Sequence, residues 1–201
     1  MRKTLAKISS IIFHPLLLPS IGMIILLNSG SILEFLPYQA KKVVLLIVFV
    51  STTVLPLTFV PFFVFQKIIK SVQMENSKER LVPFFVTMVL YSFCYYLLVR
   101  IGAPATMVKF ILIGAVSLFI LFILSFFWKI SAHMVGIGGL FGALIAASFN
   151  LHANLDIYII AAIIVSGILG FSRLILEKHK PYQIYFGWAL GVSVSLIILF
   201  I

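Results

Sequence analysis

Acidic side chains are scarce here: five Asp and Glu stand against fifteen Lys and Arg, and charged residues of both signs make up only 10% of the 201 residues. Soluble domains carry about a quarter charged residues, so no part of this chain has the polar surface of a separate water-soluble module. Cysteine is nearly absent. The single thiol, Cys94, lies in an apolar run and excludes a disulfide framework or a thiolate metal site within one chain. No His, Cys and carboxylate set has a ligand spacing such as His-Glu-x-x-His, so neither a metal nor another cofactor is expected. No internal repeat is visible, which argues against a transporter of two repeated halves. A cleavable leader is not expected either. The opening "MRKTLAK" resembles one, but Pro15 and Pro19 interrupt the apolar run and no small-residue cleavage site follows.

Apolar residues are abundant: 63% of the chain, with a mean hydropathy of +1.23, the composition of an integral membrane protein. A helical span needs roughly 20 apolar residues, and seven stretches approach this: about 8–28, 42–66, 82–100, 107–128, 131–149, 155–172 and 184–201. They are expected to be helices, because an open strand edge in lipid leaves backbone groups unsatisfied. The fold class is therefore all-α, a polytopic membrane bundle of six to seven spans. It forms a single membrane domain over 1–201, with 1–41 as an N-terminal apolar segment and loop and 42–201 as the core. The formal charge of +10 would suggest nucleic acid in a soluble protein. Here the cations flank apolar segments, where they anchor spans and meet anionic head groups, so the expected partners are membrane lipids and not nucleic acid.

Counting passes assigns the connections alternately to two faces. The N-terminus, the 67–81 loop, the junction at Lys129 and the 173–183 loop share one face, called face A. Residues 29–41, 101–106, 150–154 and the C-terminus share the other, face B. Eleven of the fifteen cations fall on face A. Polar groups gathered at one end of an apolar bundle mark a functional site.

Two stretches of face A stand out: "KISAHMVG" at 129–136, opening a span, and "SRLILEKHKPYQ" at 172–183, which reads Ser-Arg-x5-His-x3-Gln. Together they resemble the type 2 phosphatidic acid phosphatase superfamily of membrane lipid phosphatases and vanadium haloperoxidases. Its second motif is Pro-Ser-Gly-His and its third Ser-Arg-x5-His-x3-Asp. In the third motif Ser172, Arg173 and His179 match, and Gln183 stands where the family usually has Asp. In the second, Ser131 and His133 match, while Ile130 replaces Pro and Ala132 replaces Gly. The first motif, Lys-x6-Arg-Pro, is absent in that form. Lys129 precedes the second motif, and "SKERLVP" supplies Lys78, Arg80 and Pro83 two spans earlier on the same face. The layout of the family's last three spans recurs over about 131–201.

The resemblance implies a metal-independent hydrolase of lipid phosphates or pyrophosphates in the cell membrane. His179 would be the nucleophile forming a phosphohistidine, His133 the acid protonating the leaving oxygen, and Gln183 the orienting partner of His179. The residue chemistry agrees. A phosphoryl group in transfer needs fixed donors and cations around its oxygens. Arg173 offers a bidentate fork, Lys78, Arg80 and Lys129 positive charge, and Ser131 and Ser172 hydroxyls. Ser131, Ala132 and His133 open a helix whose N–H groups and dipole favour an anion. The departures, Gln183 and Ile130 above all, support a second reading: a non-catalytic relative that binds anionic lipid or assists transport.

Three lesser features complete the reading. Gly138 and Gly142 form a small-x3-small ridge, thickened by Gly136 and Gly139, for close helix packing. His14, in "FHPLLLP", is assigned to kinked-helix packing or interfacial anchoring, and His152 to a loop on face B. For sidedness, the cation count favours a cytoplasmic face A, whereas the resemblance favours an extracytoplasmic one. The latter fits if 8–28 does not span fully, leaving the N-terminus and Lys41-Lys42 together in the cytoplasm.

Overall fold

The computed structural model describes residues 2–71, 74 and 76–201, and all regular structure among them is helical. The helices are α1 (Arg2–Ile12), α2 (Leu18–Leu27), α3 (Tyr38–Phe49), α4 (Leu55–Phe65), α5 (Leu81–Arg100), α6 (Ala105–Leu124), α7 (Ala132–Asn150), α8 (Asp156–Ile175) and α9 (Pro181–Phe200). A π-helical turn at Val50–Val54 joins α3 to α4, and a 3-10 turn at Lys78–Arg80 leads into α5. Six segments are long and apolar enough to cross a membrane: Tyr38–Phe65, Lys78–Arg100, and α6 to α9. Sequence punctuation explains the boundaries. Between α5 and α6, Gly102 takes φ of +69°, open to glycine without a Cβ penalty, and Pro104 then stands at the N-cap of α6.

The seventh apolar stretch is broken. α1 ends at Ile12 and α2 begins at Leu18, with His14 and Pro15 between them. α1 lies against α8, where Ser9 Oγ is 2.9 Å from Ser172 Oγ and Lys3 pairs with Glu177 at 3.8 Å. α2 descends beside α7: Leu18 lies against Gly136, and farther along Gly22 faces Leu140 and Phe110. It ends where Lys41 Nζ donates to the Leu27 carbonyl at 3.4 Å. The N-terminus thus sits at the end holding the α8–α9 connection, and Lys41 at the opposite end. That corrects the expectation that the N-terminus and Lys41-Lys42 share one side. Its cause is that α1 and α2 divide the descent between them, and a break at proline does not turn the chain back.

Breaking a helix inside a bundle frees backbone carbonyls that lipid cannot satisfy. Thr53, in the π-helical turn, donates its hydroxyl to the Leu16 carbonyl at 2.7 Å. The same turn buries Ser51 and Thr52, and Thr52 bonds back to Val48 at 2.8 Å.

α7 is the central element, the most deeply buried of the six spans. Its glycine ridge packs on α9 as its spacing predicts. A Cβ on Gly138 would strike the Trp188 backbone, and one on Gly142 would lie 2.9 Å from the Val192 carbonyl. α9 reciprocates with Gly187 and Gly191, which meet the carbonyls of Ser131 and Val135. Ser195 then donates to the Gly139 carbonyl at 2.7 Å. This contact fixes the start of α7 against the start of α9. Gly191→Val is expected to destabilise the bundle by roughly 3 kcal/mol or more, because a branched side chain enters the α7 backbone. A thermal-unfolding scan in detergent checks this, with Gly167→Ala as control, since nothing lies within 4 Å of a Cβ at Gly167.

Candidate functional site

The close α7–α9 pair brings the two sequence motifs together at one end of the bundle. Ser131 N–H points to the Gln183 carbonyl at 3.5 Å. Trp128 stacks on Tyr182 and tilts against Phe186, with ring centroids 5.7 and 5.0 Å away, which holds the α6–α7 junction on the first turn of α9. α8 ends at Ile175, so Arg173 lies in its last turn. The connection to α9 turns through Glu177, at φ of +54°, and delivers Lys178 and His179.

His179 is held in a defined state. The Lys180 N–H donates to Gln183 Oε1 at 3.0 Å, so that atom is an acceptor, and His179 Nδ1 approaches the same oxygen at 3.3 Å. Nδ1 must therefore carry the proton, which leaves the Nε2 lone pair open. Burial, and then the positive charges of Arg80, Lys129 and Arg173, push this imidazole down to about 3 against the upward pull of the Gln183 bond. His179 is neutral at ordinary pH. Gln183, although uncharged, occupies the orienting position.

His133 faces α1 and α8. Its Nε2 lies 3.1 Å from the Ser10 carbonyl, and Arg173 Nη1 is 3.4 to 3.5 Å from both ring nitrogens. The assignment that suits these neighbours has Nε2–H donating to Ser10 and Nδ1 turned to the guanidinium. His14 stands edge-on to His133 with ring centroids 5.4 Å apart, and the Leu16 N–H reaches His14 Nδ1 at 3.4 Å. Arg80 comes from two spans earlier: its Nη1 donates to the Ile130 carbonyl and its Nε to the Met74 carbonyl, both at 3.1 Å.

Four buried side-chain polar atoms have no hydrogen-bond partner among the described residues: Ser131 Oγ and Arg173 Nε in the motifs, and Ser20 Oγ and Ser117 Oγ deeper in the bundle. A buried polar group without a partner costs about 1–3 kcal/mol, a cost that a hydrogen-bond acceptor at Arg173 would remove. Below the cationic cluster opens a cavity of about 370 Å³. Arg80, Ala132, His133, Arg173, Lys178 and His179 line its mouth, His14 flanks it, and Phe59, Leu118 and Leu140 are among its apolar walls. No carboxylate lines it among the described residues, and none of their His, Cys, Asp and Glu groups could hold a metal ion.

The other sequence candidates sit apart from this mouth. Lys129 lies with Lys180 and Gln183 along a shallow depression on the outer side of His179. Ser172 is engaged by Ser9 and by the Ile168 carbonyl, at 2.9 and 2.7 Å, and joins α8 to α1 without lining the cavity. Lys78 is exposed and does not line it either; of the loose substitute for the first motif, Arg80 and Pro83 reach the cavity. His152 ends α7 in a positive-φ turn at the opposite end of the bundle. His14 is the residue that sequence reasoning assigned to packing and that the fold brings to the site. No family model, curated protein or solved structure matches the chain.

Proposed function

We propose that the protein hydrolyses a phosphate or pyrophosphate monoester of a membrane lipid, with His179 as nucleophile. The observation that carries this reading is a neutral, oriented imidazole between Arg80 and Arg173 at the mouth of an apolar cavity whose described lining contains no acid. A phosphate among these cations has its charge neutralised, and its hydrocarbon tail finds an apolar space. The His179 Nε2 lone pair attacks phosphorus and the bond to the leaving oxygen breaks, while Nδ1–H stays on Gln183. By the resemblance, His133, carrying a second ring proton once the phosphate is bound, gives that proton to the leaving oxygen. A water then passes a proton back to His133 while its oxygen displaces His179 from phosphorus, which restores the starting state. An entering phosphate competes with His133 for Arg173, whose Nε is a donor still available to it; Ser131 is fully buried and does not line the cavity. The test is phosphate release from several lipid phosphates by the purified protein. Equal rates for wild type, His133→Ala and His179→Ala would sink the proposal.

Two observations favour the second reading, a binder without turnover. The His133 proton is already directed to a backbone carbonyl, and Gln183 lacks the charge that would stabilise a developing imidazolium. Saturable vanadate binding, lost in Arg173→Ala, with no phosphate release from any lipid would establish it.

A pH consequence follows from the lowered pKa of His179. An imidazole that titrates at about 3 gains its proton only as pH falls through that value, so the ligand-free protein keeps it neutral at pH 5, where an ordinary histidine is protonated. Nitrogen-15 spectra of labelled imidazoles, assigned with His179→Asn, are expected to retain a neutral Nδ1–H tautomer at pH 5. An imidazolium signal for His179 at that pH would contradict the site as described.

A further inference from the structure

Tyr91 and Phe110 stand at the end of the cavity away from the cations. Tyr91 of α5, only 3% exposed, lies with its ring on Gly114 of α6, where a Cβ would stand 2.6 Å from Cε1. Phe110, one turn away on α6, seats its ring on Gly22 of α2 so closely that a Cβ there would strike it. All four residues belong to helices around the cavity, and Tyr91, Phe110 and Gly114 line it. Each glycine admits an aromatic ring where a side chain would exclude it, and both rings belong to the cavity lining. Between these rings and the mouth the walls are almost wholly apolar. Of the two hydroxyls there, Thr87 is committed to the Pro83 carbonyl at 2.7 Å, and Ser117 Oγ, buried without a partner among the described residues, is the one uncommitted polar atom of these two. Along α5, the eleven residues from Arg80 to Tyr91 rise roughly 16 Å, the length of a chain of on the order of a dozen methylenes.

We infer that this cavity binds the hydrocarbon tail of a phosphorylated amphiphile and limits its length, with the Tyr91 ring on Gly114 as the floor. The cations at the mouth fix the head, so a tail longer than the depth must bend or leave the phosphate short of Arg173. The inference rests on the proposed function for the phosphate at the mouth, but it concerns binding and does not need turnover.

The experiment is a series of n-alkyl phosphates, with inorganic phosphate as the arm without a tail, titrated into the purified full-length protein in detergent below each ligand's own micelle concentration. Affinity is expected to rise about fourfold per methylene and to stop rising near a dozen carbons. Tyr91→Ala is expected to move that limit up by three or more carbons, and Ser117→Phe, higher in the cavity, to move it down. Tyr91→Phe keeps the ring and leaves it unchanged. An affinity independent of chain length overturns the inference, as does a limit that the folded Ser117→Phe and Tyr91→Ala proteins leave in place. Phosphate release from the same series separates the two claims. Chain-dependent binding without release keeps the tail site and removes the hydrolase, while release at equal affinity for all lengths does the reverse.

Discussion

Replacing His179 with Ala is expected to lower the proposed phosphate release by about 10⁴-fold or more, to the background of the assay, because the proposed nucleophile and its covalent intermediate are lost together. Lipid binding should survive, since the Ala variant leaves Arg80 and Arg173 in place. The neighbouring Gln183 gives the same claim a finer test. Gln183→Leu removes the acceptor shared by His179 Nδ1 and the Lys180 N–H, so the ring can adopt the wrong tautomer, and a loss of about 10²-fold is expected. Gln183→Asp keeps the acceptor and adds the charge that stabilises the imidazolium of the phosphoryl-enzyme. Its rate should rise severalfold above wild type. A rise with Asp, a fall with Leu and extinction with His179→Ala would together identify an oriented nucleophile. A merely structural Gln183 would give no rise with Asp.

What could be read from the sequence divides along a physical line. Apolar length marked seven stretches, of which six are long enough to span, and the helical period placed Gln183 one turn from His179, because both depend on residues close together in the chain. Gly138 and Gly142 were legible as a ridge for the same reason. Their counterparts were not: Gly187, Gly191 and Ser195 have the same spacing on α9, but which face of α9 meets α7 is a property of two helices and not of one. Ser172 shows the limit most plainly. Its partner, Ser9, is 163 residues away, and no local pattern announces that a matched motif serine will be used to dock the N-terminal helix. His14 did leave a signal in Pro15 and Pro19. A helix broken at membrane depth must satisfy its freed backbone groups, so polar side chains gather there, and the break is what turns the His14 ring onto His133.

Arg173→Ala is expected to reduce kcat/KM for the proposed lipid phosphate hydrolysis by about 10² to 10³-fold, the usual loss when one donor to developing charge is removed. The geometry predicts how that loss divides. Arg173 is within hydrogen-bond reach of His133 and carries a buried, unpartnered Nε, so a bound phosphate gains both a fork and a previously orphaned donor. Much of the effect should therefore fall on kcat, where the equatorial oxygens carry most charge, with a smaller rise in KM. Arg173→Lys restores the charge but neither the fork nor the Nε–H, and should recover no more than about tenfold. Arg80 is tied instead to two backbone carbonyls. Its replacement by Ala also disturbs the Met74 segment and the start of α7, so it should weaken binding and catalysis together. If Arg173→Ala changed KM alone and Arg173→Lys restored full activity, the guanidinium would be a point charge at the mouth, and its contact with His133 would have no part in phosphoryl transfer.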